Sequence, residues 1–375
     1  MASAAMAAAG SLAVPAMAKL ASDDLQAAID EAIRSGTPLN LPHGVYLVRQ
    51  TLKINAAVGL EINGAGGNYA LPDWEMGGWK NSSTRTLLLW DGPDGGTLLE
   101  INSANGCTFR NMGLCGINRP DTSSQAGRLI HCQSRPGWSN AGHHFENICL
   151  SHAMIGMQFG SNSDDITCSD TSLYRVRFSD CMTGFKAVTR QAVNFYFDQV
   201  EGAGKIDVLV HFNRGGDLRW DGGAGTISGQ PTILRIDSAG ENASTFALRG
   251  MRFETNGGWP IIVDAPGNAG STTISIRDLS DADSNQKLIC NLQPGMFRIG
   301  PGVGLTINNS TLRRHIGILS GAPDRQATLT MDNCVLAGQH AADLITLGDN
   351  SYYRARDCRM LPSNRPIPTE GNWPQ

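Results

Sequence analysis

Short apolar runs broken by turn residues recur along most of this chain, and from Phe109 onward they follow one pattern. Apolar or small residues stand at i, i+3 and i+5, with a turn-forming residue at i+2. Clear copies are Phe109/Met112/Leu114 with Asn111, Phe145/Ile148/Leu150 with Asn147, and Leu248/Met251/Phe253 with Gly250. Ile307/Ser310/Leu312 with Asn309, Met331/Cys334/Leu336 with Asn333, and Ala355/Cys358/Met360 with Asp357 continue the series. Leu173/Val176/Phe178, Phe197/Val200/Gly202 and Ile276/Leu279/Asp281 (with Asp278) are weaker copies. Successive middle positions lie 36, 28, 24, 51, 28, 31, 24 and 24 residues apart, the 51 being two turns with the unmatched one running through Trp220 and Gly223. A period in this range marks a solenoid. Seven of the nine copies place Asn, Asp or Gly at i+2, residues that tolerate positive φ, so each predicts a tight bend between two strands of one turn.

HFENICLSHAMIGMQFG (144–160) and SLYRVRFSDCMTGFKAV (172–188) superpose without a gap at an offset of 28, which predicts residue-on-residue stacking of neighbouring turns about 4.8 Å apart. The stretches 66–86, 117–141 and 160–171 exceed the minimum turn and are expected to be insertions on the flank. Near the N-terminus the period changes. Leu25, Ala28, Ile29, Ala32 and Ile33 share one face of a short helix over 22–35, with Ser22 or Asp23 as N-cap and Gly36 after its end.

Residues 22–67 resemble the opening of the pectate-lyase-like β-helix superfamily, through LQAAIDEA in the helix, the LP-x-G-x-Y-L-V segment 41–48 and the following TLKI strand. The resemblance implies an all-β chain, a single-stranded right-handed parallel β-helix with an N-terminal capping α-helix. It does not choose a chemistry, because the superfamily includes polysaccharide lyases, glycoside hydrolases, epimerases and phage tailspikes. The expected division is a signal-like or flexible arm over 1–21, one β-helix domain over 22–361, and a Pro-rich tail over 362–375.

Composition narrows the function. Forty-four glycines and 17% charged residues suit a turn-rich solenoid, and a net charge of −4 without a basic block argues against a nucleic-acid partner. No stretch reaches membrane-spanning length. The uncharged first eighteen residues end in Ala16-Met17-Ala18, a pattern that signal peptidase reads, but lack a basic n-region; export and an N-terminal arm both remain open. Nine cysteines without C-x-x-C suggest neither zinc nor a redox motif, and they read as buried thiols. No metal and no cofactor is expected.

Neither the polygalacturonase signature set nor the Trp-Ile-Asp-His motif of calcium-dependent pectate lyases is present. The predicted register brings other polar residues together. It sets His152 over Asp180, Arg177 beside Glu201, and Glu146, Tyr174 and Asp198 in one outward column. These seven are the candidate catalytic residues. They are the group types that abstract and donate protons when a uronic acid is cleaved by β-elimination or a glycosidic bond is hydrolysed. In that scheme Asp180 orients His152 and raises its pKa, and Arg177 neutralises a substrate carboxylate. Glu146 and Asp198, about 9.6 Å apart by strand spacing, stand at the wide limit for inverting hydrolysis, which favours elimination. Solvated charge pairs on an outward flank are the competing reading of all seven. Tyr69, Trp74, Trp79 and Trp138 are candidate sugar-stacking aromatics, or else covers for the open N-terminal rung, and Asp164 and Asp165 are further candidate contacts. His143 and His144 read as one inward and one outward strand residue. The expected function is recognition and cleavage of an extracellular polysaccharide, by a secreted enzyme or a virion-associated tailspike. The tailspike relatives imply a homotrimer. The alternative is a non-catalytic structural or glycan-binding solenoid.

Overall fold

The computed structural model describes residues 22–65, 85–116, 125–161, 167–229, 231–237, 244–255, 258–263, 272–281, 295–312, 317–319, 321–337, 345–361 and 365–366. Among them, one helix at Ser22–Ser35 is followed by strands throughout. Apart from the last short pair, the inter-turn pairings are parallel, and each turn hydrogen-bonds to the turns before and after it. The coil is right-handed. Leu25, Ile29 and Ala32 of the helix are buried against the first turn, so the apolar end of the stack is covered where the sequence placed a cap.

Three faces make up the coil. Among the described residues a 22-stranded sheet supplies two of them, and an eleven-stranded sheet, with strands such as Arg128–Gln133, Thr183–Ala187, Val208–Phe212 and Thr232–Ile236, supplies the third. The corner between the first and second faces is the i+2 column. Asn111, Asn147, Asp278, Asn309, Asn333 and Asp357 all have φ between 46° and 60°, as do Arg175 and Gln199 in the weaker copies, and Gly222 and Gly250 continue the column at positive φ. Side chains reinforce the bend, because Asn147 Nδ2 donates to Asn111 Oδ1 at 2.8 Å and Asn333 Nδ2 to Asn309 Oδ1 at 2.9 Å. The doubled step resolves as expected, since Phe197 pairs with Trp220 and Trp220 with Leu248.

Inward positions stack into one core. Met112, Ile148, Val176, Met251, Cys334 and Cys358 are all buried within it, and Phe109 lies on Phe145 with ring centroids 5.0 Å apart. Two expectations change. The stretch 117–141 is not wholly an insertion, because it contains the third-face strand Arg128–Gln133; that face runs straight, without a corner residue, and so escapes the i, i+3, i+5 pattern. Within 160–171, Thr167–Ser169 pairs with Ser139–Ala141 in a separate two-stranded sheet. Among the described residues the last parallel pairing joins Val335–Ala337 to Arg359–Leu361, and Arg365–Pro366 pairs with the latter antiparallel. Among the described residues no helix is long and apolar enough to cross a membrane.

Candidate functional site

The register of the seven candidate catalytic residues is as read from the sequence. Glu146 pairs with Tyr174 and Tyr174 with Asp198, while Arg177 pairs with Glu201. His152 and Asp180 directly follow the paired Ser151 and Ser179, so they occupy equivalent positions on adjacent turns. Their orientation differs from a single patch. Glu146, Tyr174 and Asp198 belong to the first face. Arg177 and Glu201 belong to the second, beyond the left-handed corner at Asn147, Arg175 and Gln199. His152 and Asp180 are themselves left-handed, with φ of 56° and 50°, and form the next corner between the second and third faces. The alignment fixed height along the axis, but bends at these positions divide the seven among three surfaces.

Local chemistry accounts for several of them. Arg110 Nε lies 3.0 Å from a Glu146 carboxylate oxygen, with His144 Nε2 at 3.5 Å from the same oxygen. The Asp180 carboxylate accepts Ser179 Oγ–H at 2.7 Å and the Lys205 backbone N–H at 3.0 Å, which braces its own corner. His152 titrates below the ordinary histidine range, the reverse of the expected upward shift. Burial of the ring is the larger cause, and the nearby Asp180 charge offsets it only in part.

Of the proposed sugar contacts, Trp138 is 55% exposed at the turn before Ser139–Ala141. Tyr69, Trp74, Trp79, Asp164 and Asp165 lie outside the described residues.

A second set of polar groups, not among the sequence candidates, stands on the third face. Its outward column runs Lys53, Glu100, His131, Gln158, Lys186, His211 and Arg235, each paired with the next across a turn. Outward residues on a solenoid flank are ordinarily well solvated. Here His131 and Gln158 each retain only 7% exposure, and the His211 side chain 14%, so the column forms a polar trough recessed at these three positions, with Lys53 and Arg235 at its ends more open to solvent. Its upper part is tied together by Arg128 Nε donating to Gln158 Oε1 at 3.0 Å, while Gln158 Nε2 and His131 Nε2 reach the Gly160 carbonyl at 3.0 and 3.1 Å.

Lower in the trough, His211 Nε2 lies 2.7 Å from Asp237 Oδ2, and Arg235 Nε donates to Asp237 Oδ1 at 2.6 Å. A carboxylate only accepts, so Nε2 carries the imidazole proton and Nδ1 is left as the basic nitrogen. Lys186 and Arg235 occupy the aligned positions on the turns before and after His211. Burial, with help from these two cations, holds His211 below its usual range, against the opposing pull of Asp237. Asp237 is itself held below the usual carboxylate range: its hydrogen bonds from Arg235 and His211 together outweigh burial, which is the largest single influence and acts upward. A neutral, oriented imidazole between two cations in a recess can accept a proton from carbon next to a bound carboxylate. The sequence carried a signal for this group. TGFKA (183–187), VLVHF (208–212) and TILRI (232–236) align with Lys186, His211 and Arg235 at one position, but only an index of the straight third face would have shown it.

No protein-family model matches the chain, and a search of curated proteins finds no match. Solved structures do match in shape. The DFA-IIIase of Arthrobacter chlorophenolicus A6, in complex with GF2, superposes with a TM-score of 0.52 at 12% identity, over 90% of this chain and 91% of that one. The endo-xylogalacturonan hydrolase of Aspergillus tubingensis superposes with a TM-score of 0.50 at 12% identity, over 91% of this chain and 90% of that one. The fold is a right-handed parallel β-helix. At this level of identity the likeness extends to architecture and full-length coverage of the coil.

Proposed function

We propose that this β-helix recognises a uronate-containing polysaccharide in the third-face trough and cleaves it by β-elimination. The observation that carries the reading is the His211–Asp237 pair set between Lys186 and Arg235. A uronate carboxylate bound by the two cations has its charge neutralised, which lowers the barrier to removing the adjacent C5 proton. His211 Nδ1 takes that proton. The C5–H electron pair forms the C4–C5 double bond, the C4–O bond breaks, and the leaving oxygen takes its proton from the Lys186 ammonium or from water. Asp237 orients the imidazole and stabilises the imidazolium that forms.

Full-length similarity of the coil to two proteins named as a xylogalacturonan hydrolase and a DFA-IIIase supports carbohydrate as the ligand class. Hydrolysis is the competing outcome. It calls for two carboxyl groups about 5 to 9.5 Å apart, and in the trough Glu100 and Asp237 stand several turns from each other. The test is to incubate the protein with polygalacturonate, alginate and glucuronan while following ultraviolet absorbance of unsaturated ends together with reducing ends. Elimination predicts that both rise in step, and that His211→Asn abolishes both while circular dichroism stays unchanged. Reducing ends without unsaturation, or no product from any of the three, refutes it.

A further inference from the structure

The outward side of the first face presents a surface of a different kind. Counted along the register, one outward column reads Ser172, Tyr196, Arg219, Ala247, Ser275, Thr306, Thr330 and Arg354. A parallel column reads Thr245, Thr273, Gly304, Thr328 and Tyr352. On the four turns from Thr245 to Thr330 the two columns hold hydroxyl groups, one Ala and one Gly, with no charge at any position.

The charges of this flank stand two or three residues further on, at the corner, and there they pair with one another. Arg277 and Arg249 lie 3.6 and 4.0 Å from Asp278, and Arg356 pairs with Asp332. Exposed tyrosines stand beyond both ends of this stretch: Tyr196, 54% exposed, lies one turn past Arg219, which pairs with Asp221, and Tyr352, 42% exposed, stands beside Arg354. Solvation and strand propensity explain outward Thr and Ser, but neither calls for a large aromatic held open to water at each end. Six turns separate Tyr196 from Arg354, beside Tyr352, so the strip is about 29 Å long at the spacing of parallel strands.

We propose that this strip is a binding platform for an extended chain of neutral sugars, separate from the cleavage trough. Tyrosine rings offer apolar faces on which a pyranose stacks. Ladders of Thr and Ser, repeating at each turn, donate to and accept from successive sugar hydroxyls. Strip chemistry also selects the ligand. A strip whose four middle turns carry no charge, and whose Arg219 is already paired with Asp221, offers little to compensate a polyanion, so it discriminates against the acidic chains that suit Lys186, His211 and Arg235. Its role would be to hold the protein on a neutral matrix polysaccharide while the opposite trough works on an acidic one. The platform does not depend on the elimination chemistry, since its readout is retention rather than turnover.

The experiment is retention of the intact protein on insoluble cellulose, xylan and mixed-linkage β-glucan, and on a polygalacturonate gel as the acidic comparison. Wild type is expected to be retained by at least one neutral polysaccharide, with little effect of added salt. Tyr196→Ala combined with Tyr352→Ala should weaken retention at least fivefold. Thr306→Arg, which plants a charge and a long side chain in the strip, should do the same without touching an aromatic ring. Neither variant should alter product release from soluble polygalacturonate, whereas His211→Asn should lose product release and keep retention. The platform is overturned if wild type is retained by none of the neutral polysaccharides, if both variants bind as wild type does, or if moderate salt abolishes retention. Loss of cleavage alone bears only on the trough.

Discussion

Acid should weaken this fold through one histidine in particular. His143 is buried, with 1% of its surface exposed, beside the core; its Nδ1 accepts the Cys107 backbone N–H at 3.3 Å, and its Nε2 meets the Asn140 side-chain oxygen. That arrangement uses the neutral ring, with Nε2–H donating and Nδ1 accepting. Protonating Nδ1 would turn an acceptor against the Cys107 N–H and place a charge in an apolar surrounding. Burial accordingly lowers the His143 pKa from 6.5 to about 4. Between those pH values the unfolded chain binds more protons than the folded one, so stability falls as pH drops through this window and is unaffected above it. The displacement corresponds to about 3 kcal/mol at full development. The assay is urea unfolding at a series of pH values from 7.5 to 4, for wild type and for His143→Asn. The Asn side chain keeps an acceptor for Cys107 N–H but cannot titrate. The variant should be less stable at pH 7.5 by about 1 to 2 kcal/mol for its lost hydrogen bond and packing, and should lose much less than wild type on acidification. Other histidines held low, such as His131, contribute equally to both proteins and cancel in the difference. Parallel pH profiles for the two proteins would refute the assignment.

In the trough, Asp237→Asn should reduce the elimination rate by up to about 10⁴-fold, the cost of disorienting a histidine base, and should move the acidic limb of the pH–rate profile downward, because the carboxylate that raises the His211 pKa is gone; an unshifted profile at near wild-type rate would exclude His211 as the base. Burial drives the thiols of Cys107 to about 11 and of Cys149, Cys168 and Cys181 to about 12, so these should resist alkylation of the native protein at pH 8 and react in denaturant. Cys358, stacked on Cys334 of the adjacent turn with both thiols free, should be the exception, since a hydrogen bond from Cys334 lowers Cys358 to about 7 while the same bond raises Cys334; mass spectrometry without reductant should find no bond between them, and modification should begin at Cys358. Arg175 carries φ of 52° at a corner filled by Asn147 on the turn before and Gln199 on the turn after, so Arg175→Gly should stabilise by about 1 kcal/mol, and an unchanged urea midpoint would count against strain at that corner.

Much of the architecture was written in one column of residues. Asn111, Asn147, Asn309 and Asn333 mark positions where the backbone must enter the left-handed region, and spacing between them gives the period of the coil without any tertiary information. Helical periodicity at Leu25, Ile29 and Ala32 placed the cap. Register followed as well, because shifting a turn by one residue would turn its inward apolar residues to solvent; the pairs Glu146 with Tyr174 and Arg177 with Glu201 needed nothing more. Direction around the axis was decided only in three dimensions. Two positions three residues apart, such as Tyr174 and Arg177, look adjacent in a linear pattern, yet a left-handed residue between them sends their side chains out of different faces. Burial was equally hidden. Nothing local to VLVHF says that His211 lies in a recess while Tyr196, also outward, stands open to water. That difference, together with proximity to Asp237 on the next turn, is what separates a basic imidazole from a solvated one, and both arise from neighbours that the coil brings together from distant parts of the chain.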